Sequence, residues 1–462
     1  MSVVADSEAR DDVEVGGRSG VVLGTLNMGY NAVSGRSGGA STTFTVSGSD
    51  NTLDIATANF AAFDGASSRF RVLGSDNVLK ISSLNIGTKG GGVSEFSLAG
   101  SGNSLAVGGL KMLGGGVGNA DFSISGSGNS LAVTHLFSAG ENNIALSGRA
   151  SASFGGVGNT FEIGKTSNES GITVALSSLA DSGSENRFEY TGASNALYAN
   201  RIFMGGNTPR SGEAGVYIKG DVSGDERIRL FTDNLYIKSS ANSAATVKTG
   251  IEIAGNAILR GFDGGDSDAS KISLSDDGAM NGGSASVKIS GSGNDLLFSS
   301  ISVGHTASTA AATFTIKDSG SIILATGALN IRGGSGTSFE GQMGGMLEFM
   351  AGSAGFSTLE VSEVQSFTGL LLVDFTLLAA GDGKTPLTLI SSGSAWEGIY
   401  DGILDENRVK LLFADGADAR IAYEDGNLVA YYAAVPEPAA FAVFLGLSAL
   451  ALGAFRRRFV RF

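Results

Sequence analysis

Four segments of the chain repeat one another in strict register, and this periodicity limits the possible folds more than any other feature. They are 44–55 (FTVSGSDNTLDI), 70–81 (FRVLGSDNVLKI), 96–107 (FSLAGSGNSLAV) and 122–133 (FSISGSGNSLAV). Each begins 26 residues after the one before, and Asn51, Asn77, Asn103 and Asn129 keep the same step. A further copy at 287–298 (VKISGSGNDLLF) carries Asn294, and FTIKDSGSIIL at 314–324 starts 27 residues after it. Degenerate copies such as GNTFEI at Gly158 and GNAILRGF at Gly255 fill the middle. Units of this length that resemble one another bury their apolar faces by stacking on their neighbours.

Within each copy apolar residues alternate, as at Phe44 and Val46 and again at Leu53 and Ile55. That is the two-residue period of a strand with one buried face. The strands flank a turn reading Gly-Ser-(Asp/Gly)-Asn, whose Gly and Asn tolerate the left-handed backbone of a sharp corner. A third short strand follows at Leu84 and Ile86, Leu110 and Met112, and Leu136, and then a Gly-rich loop of variable length. Three strands and three corners in about 26 residues predict one coil of a parallel β-helix. A propeller needs repeats of about 40 to 50 residues. At about 4.8 Å per coil, equivalent Asn side chains stack and form an amide ladder, so Asn51, Asn77, Asn103, Asn129 and Asn294 read as architecture.

Composition removes other classes. The 462 residues include 71 Gly but 4 Pro, without the Gly-X-Y period of collagen, and 42% are apolar, too many for generic disorder. No Cys is present, which excludes disulfides, thiolate metal sites and a cysteine nucleophile. With 31 Lys+Arg against 45 Asp+Glu, a formal charge of -14 and no basic tract before the last few residues, the chain is not built to meet phosphate backbones. We therefore expect no nucleic-acid partner.

The pattern shifts near residue 366. From 367 to 434 longer apolar strands and the single Trp, Trp396, suggest a β cap over the solenoid of 1–366. Then come Pro436-Glu437-Pro438, an apolar run at 439–455 (AAFAVFLGLSALALGAF) and the basic residues Arg456, Arg457, Arg458 and Arg461. Seventeen apolar residues reach the short limit for a transmembrane helix, and the arginines form a stop on its cytoplasmic side. This tail, 435–462, resembles the PEP-CTERM sorting signal of Gram-negative bacteria, in which Pro-Glu-Pro, a membrane segment and a basic end occur in that order. The resemblance implies export, recognition by an exosortase-type processing enzyme, and often a setting of extracellular polysaccharide. Proteins of this kind carry an amino-terminal signal peptide, and residues 1–17 (MSVVADSEARDDVEVGG) show no apolar signal segment. The upstream repeats are similar to the β-strand repeats of autotransporter passengers.

Candidates for chemistry are few. Asp50 and Asp76 occupy equivalent positions in adjacent coils, about 5 Å apart at the coil spacing, a separation that suits a retaining glycosidase pair. The following coils place Gly102 and Gly128 there, so we read both aspartates as corner residues. Asp295, in GSGNDLLF, resembles a ligand of a calcium-binding nonapeptide, but other copies carry Thr52, Val78, Ser104 and Ser130 in its place. Asp263, Asp266 and Asp268 (DGGDSD) are a better calcium candidate than Asp295, but an acidic loop of this kind reads as solvated. Gly35-Arg36-Ser37-Gly38-Gly39 matches a nucleophile-elbow pattern by letter alone, without its strand–turn–helix setting. His135 and His305 lack triad partners. The aromatics are mostly Phe, 26 against 9 Tyr, and many recur at core positions.

The expectation is a non-catalytic, exported all-β solenoid without cofactor or metal. Sorting takes it through the bacterial inner membrane to the cell envelope or extracellular matrix, in a structural or adhesive role. Its partners are the exosortase-type enzyme, the membrane through the carboxy-terminal helix, and extracellular polysaccharide. The alternative is a polysaccharide-acting β-helix enzyme, a lyase or hydrolase.

Overall fold

The computed structural model describes residues 10–29, 41–60, 66–87, 92–112, 118–139, 148–164, 171–175, 184–205, 211–262, 269–276, 278, 280–317, 320–334, 337–340, 343–396 and 407–434. They form a parallel β-solenoid. On its first face fourteen strands lie side by side in one sheet, from Arg10–Gly16 through Ser41–Ser47, Ser67–Val72, Gly92–Leu98 and Gly118–Ile124 to Val409–Leu412. The other two faces begin as single long strands, such as Thr52–Phe60 and Ser104–Met112. In the following coil the two arms are separate strands, Ser130–Val133 and Leu136–Ala139, both paired in parallel with Ser104–Met112.

Alternation in sequence becomes alternation in burial. Ser41–Ser47 buries Thr42, Phe44 and Val46 and leaves the intervening side chains at the surface. Phe44, Phe70, Phe96 and Phe122 stack in register, with centroids 4.9, 5.2 and 5.1 Å apart and planes within 12°. Ring on ring at nearly the strand spacing means that each coil buries its Phe only when the next is present. Ala152 stands opposite Phe122 in the next coil and breaks the column. Phe137 and Phe154 turn edge-on into the gap, 6.0 and 5.8 Å from Phe122, and Phe188 then resumes the column.

The period of 26 holds for the first repeats and then lengthens. Asn129 is linked to a residue 30 positions on, and Asn159 to one 36 on. Extra residues enter between the strands, so the ladders continue while the sequence period is lost.

Parallel pairing runs past residue 366: Met346 pairs with Leu370, Leu371 with Val409, and Leu359 with Ile390. It turns antiparallel at Asn427–Ala434, which pairs with Leu387–Ser392 and forms a hairpin with Ala417–Glu424. Asp425 and Gly426 make the hairpin turn with φ of 50° and 84°, the pair of left-handed residues that a two-residue turn favours. The hairpin covers the end of the core. Tyr432 stacks on Phe375 at 4.9 Å, and Trp396 is 3% exposed, donating its indole N–H to Gly426 O at 2.9 Å. Among the described residues no helix is long and apolar enough to cross a membrane. The apolar run 439–455, Pro436, Glu437, Pro438, Arg456, Arg457, Arg458 and Arg461 lie outside the described residues.

Candidate functional site

The corner between the first and second faces sets the fate of most candidate residues. Its left-handed position is held by Asp50, Asp76, Gly102, Gly128 and Gly158, with φ between 58° and 65°. The residue after it turns inward. Asn51, Asn77, Asn103 and Asn129 are buried there, and each backbone N–H donates to Oδ1 of the Asn one coil on, at 2.7 to 3.0 Å. The side-chain amides continue the ladder, Asn51 Nδ2 to Asn77 Oδ1 at 2.9 Å, Asn77 to Asn103 at 3.0 Å and Asn103 to Asn129 at 3.1 Å. The column then runs through Asn159, in the degenerate copy at Gly158, and Asn195, which the irregular spacing hid from sequence reading, and ends where Ile228 takes the position. After Ala257 it resumes at Asn294, whose Nδ2 donates to Ser321 Oγ at 3.0 Å. Asn294 thus stands apart from the other four, and its buried Oδ1 finds no partner.

Asp50 and Asp76 occupy the corner but are not aimed at a shared point. Asp50 Oδ2 meets Arg18 Nε of the preceding coil at 3.3 Å, whereas Asp76 Oδ1 lies over Gly102 of the following coil, where a side chain would collide with it. Asp295 is held by arginines, with Arg260 NH2 at 2.9 Å and Arg227 NH2 at 3.9 Å. Two guanidiniums on one carboxylate occupy the charge that a calcium ion would need. His135 is exposed, and His305 accepts the Ala307 N–H at 3.1 Å through Nδ1. Asp263, Asp266, Asp268 and the Gly35–Gly39 stretch lie outside the described residues. Among the described residues no group of three acidic or histidine side chains converges as metal ligands.

A different site emerges on the outside of the first face. Here outward positions of consecutive coils align as Arg187, Gly215, Gly250 and Ser286. The two glycines leave a trough of about 600 Å³ in the sheet surface. One rim aligns Glu185, Glu213 and Lys248, and the other aligns Tyr217, Glu252 and Lys288. The charges are paired across coils: Lys248 Nζ to Glu213 at 2.9 Å and Lys288 Nζ to Glu252 at 2.7 Å. Arg187 meets Glu189 at 2.5 Å and places its guanidinium 5.7 Å from the centre of the Tyr217 ring. Towards the amino-terminal end the same column of positions carries Glu95 and Asp121. Burial holds the Asp121 carboxyl above its usual range; the Arg149 guanidinium opposes the shift and the Glu95 carboxylate adds to it.

Sequence reading missed this trough because Gly215 and Gly250 are two among 71 glycines, and nothing local distinguishes an outward strand glycine from a corner one. The chain matches no protein-family profile, no curated protein and no solved structure.

Proposed function

We propose that this protein is a non-catalytic, exported β-solenoid, delivered by its carboxy-terminal tail to the cell envelope and acting there as a structural or adhesive rod. The observation that carries the structural part is the continuous coupling of coil to coil: one fourteen-stranded parallel sheet with stacked rings inside and an amide ladder at the corner. At about 4.8 Å per coil it makes a column roughly 60 Å long. Such a column holds its shape without disulfides and presents side chains at regular intervals along three faces. Delivery rests on Pro436-Glu437-Pro438, the apolar run after it and the terminal arginines.

The enzymatic reading, a polysaccharide lyase or hydrolase, draws on Glu185, Glu213 and Glu252 around the trough. Glu213 and Glu252 are each neutralised by a lysine of the next coil, an arrangement that suits a surface better than a general base, so we favour the first reading. The test is fractionation of the native host with intact-mass measurement. The reading expects an envelope or extracellular form, and release from membranes when the chain is ended at Ala434. A full-length cytoplasmic form overturns it.

A further inference from the structure

Gly215 raises a question that the solenoid does not answer. A glycine inside a strand costs about 0.5–1 kcal/mol relative to alanine and is explained by a left-handed backbone, by crowding, or by something that approaches the backbone closely. Gly215 has no positive φ, and a Cβ added to it would meet only Gly250 O, at 4.0 Å, so neither of the first two explanations applies. Gly250 also lacks a positive φ, and the first atom its Cβ would meet is the movable hydroxyl of Ser286. Two bare positions in successive coils therefore remain open to a ligand lying against the sheet.

The rims state what kind of ligand. Of the four cations that line the trough, Lys248, Lys288 and Arg187 each have a carboxylate within ion-pair distance and Arg149, at one end, stands in register with Glu185, so a polyanion entering the trough competes with Glu213, Glu252 and Glu189 for three of them. A polycation meets the same obstacle from the other sign. What the rims offer at low cost is a dense set of oriented donors and acceptors beside one half-buried aromatic ring, Tyr217. That combination recognises hydroxyl groups and the apolar face of a sugar ring. The trough runs across the strands, and its lining spans the coils from Arg149 to Lys288 at about 4.8 Å each, so an extended chain presents about one sugar residue per coil.

We infer that the trough over Gly215 and Gly250 is a binding site for a neutral, extended polysaccharide. The inference deepens the adhesive part of the function proposed above, and its test on purified protein is independent of where the cell sends the chain. Isothermal titration of the full-length protein with cellohexaose, xylohexaose and mannohexaose should show binding to at least one of them that survives added salt, because no net charge is exchanged. Gly215→Trp fills the trough from outside and should abolish that binding. Thr43→Trp, at the same outward register in an early coil, should retain it with the same melting temperature as the parent. Tyr217→Ala only removes surface atoms and should weaken binding about five- to ten-fold, which keeps the test intact if the tryptophan prevents folding. Full binding in both Gly215→Trp and Tyr217→Ala overturns the inference. So does binding only to polygalacturonate or heparin, or no binding to any neutral chain at millimolar concentration.

Discussion

Asn103→Ala tests whether the corner ladder holds the column together. Asn103 is 1% exposed and makes four side-chain hydrogen bonds. Its Oδ1 accepts from Asn77 N and from Asn77 Nδ2, both at 3.0 Å, and its Nδ2 donates to Gly74 O at 3.0 Å and Asn129 Oδ1 at 3.1 Å. After truncation Asn77 Nδ2 still reaches Gly48 O at 3.3 Å and Asn129 Oδ1 keeps the Asn103 N–H at 2.9 Å, but the Asn77 N–H is left buried without its acceptor. One orphaned donor costs about 1–3 kcal/mol, and the other lost bonds about 0.5–1.5 kcal/mol each, so the expected loss is about 4 kcal/mol. Asn294→Ala is the internal comparison. Its Oδ1 has no partner to lose, and removing that buried acceptor offsets the loss of donors to Ser290 O and Ser321 Oγ, leaving about 1 kcal/mol. Coils of a solenoid open locally, so the assay is amide hydrogen exchange read by mass spectrometry, not a single unfolding midpoint. The difference of about 3 kcal/mol corresponds to roughly a hundred-fold greater loss of protection around Asn77 than around Asn294. Equal losses at the two sites, or unchanged protection at Asn77, would refute the account.

Phe96→Ala removes a ring stacked on both sides and should cost about 3–5 kcal/mol in denaturant titration, while Ala152→Phe, which restores the repeat by letter, should also destabilise, by about 1–3 kcal/mol. The reason is that Phe137 and Phe154 already fill that gap. Because the fold raises the pKa of Asp121, the native state binds its proton more tightly than the unfolded chain, and stability from this group falls as pH rises through and above the ordinary carboxylate range. Asp121→Asn should therefore raise the melting temperature at about pH 7 and leave it nearly unchanged at about pH 4. Asp295→Ala removes the carboxylate shared by two partly buried guanidiniums, which keep only backbone carbonyls as acceptors, and should cost about 1–3 kcal/mol; added calcium should leave the parent's melting unchanged, and a calcium-dependent rise would restore the ion-binding reading. Trp396 lies under the terminal hairpin, so its fluorescence transition should be the same in Asn103→Ala as in the parent, even where exchange near Asn77 has accelerated.

The early coils were legible because every constraint recurs at one spacing. Phe44, Phe70, Phe96 and Phe122 mark the core, Asn51 to Asn129 mark the corner, and the residue before each Asn takes the left-handed turn. Asp50 and Asp76 were correctly placed at that turn from the glycines that replace them two coils later. Spacing fails once loops lengthen: Asn159 and Asn195 stand in the same column as Asn129, but at 30 and 36 residues no fixed period finds them. The substitution of Ala152 was equally hidden, since its compensation comes from Phe137 on another face. Gly215 and Gly250 carry no local mark at all. Their meaning depends on which side of the strand they occupy and on what the neighbouring coils leave open, and both are properties of the stack.

The trough and the ladder are connected through the same coils. Following the strands that bear Gly215 and Gly250 to their first corner leads to Ile228 and Ala257, the two positions where the amide column is interrupted. In the same coils Val216 and Ile251 replace the stacked phenylalanines. At the corner and on the outside the repeat is broken in the same two coils, whereas the inner column is also interrupted at Ala152 and Val287. A solenoid under selection for rigidity alone gains nothing by giving up the amide ladder in two successive coils. Departures from a local rule gather where function asks for a different surface and the neighbouring structure can carry the loss. Coils that keep the ladders, such as those of Asn77 and Asn103, show Arg69 and Glu95 at the outward position that Gly215 and Gly250 leave empty. The bare outward positions and the interrupted amide column therefore coincide in two consecutive coils, the stretch along which the polysaccharide proposed above would lie.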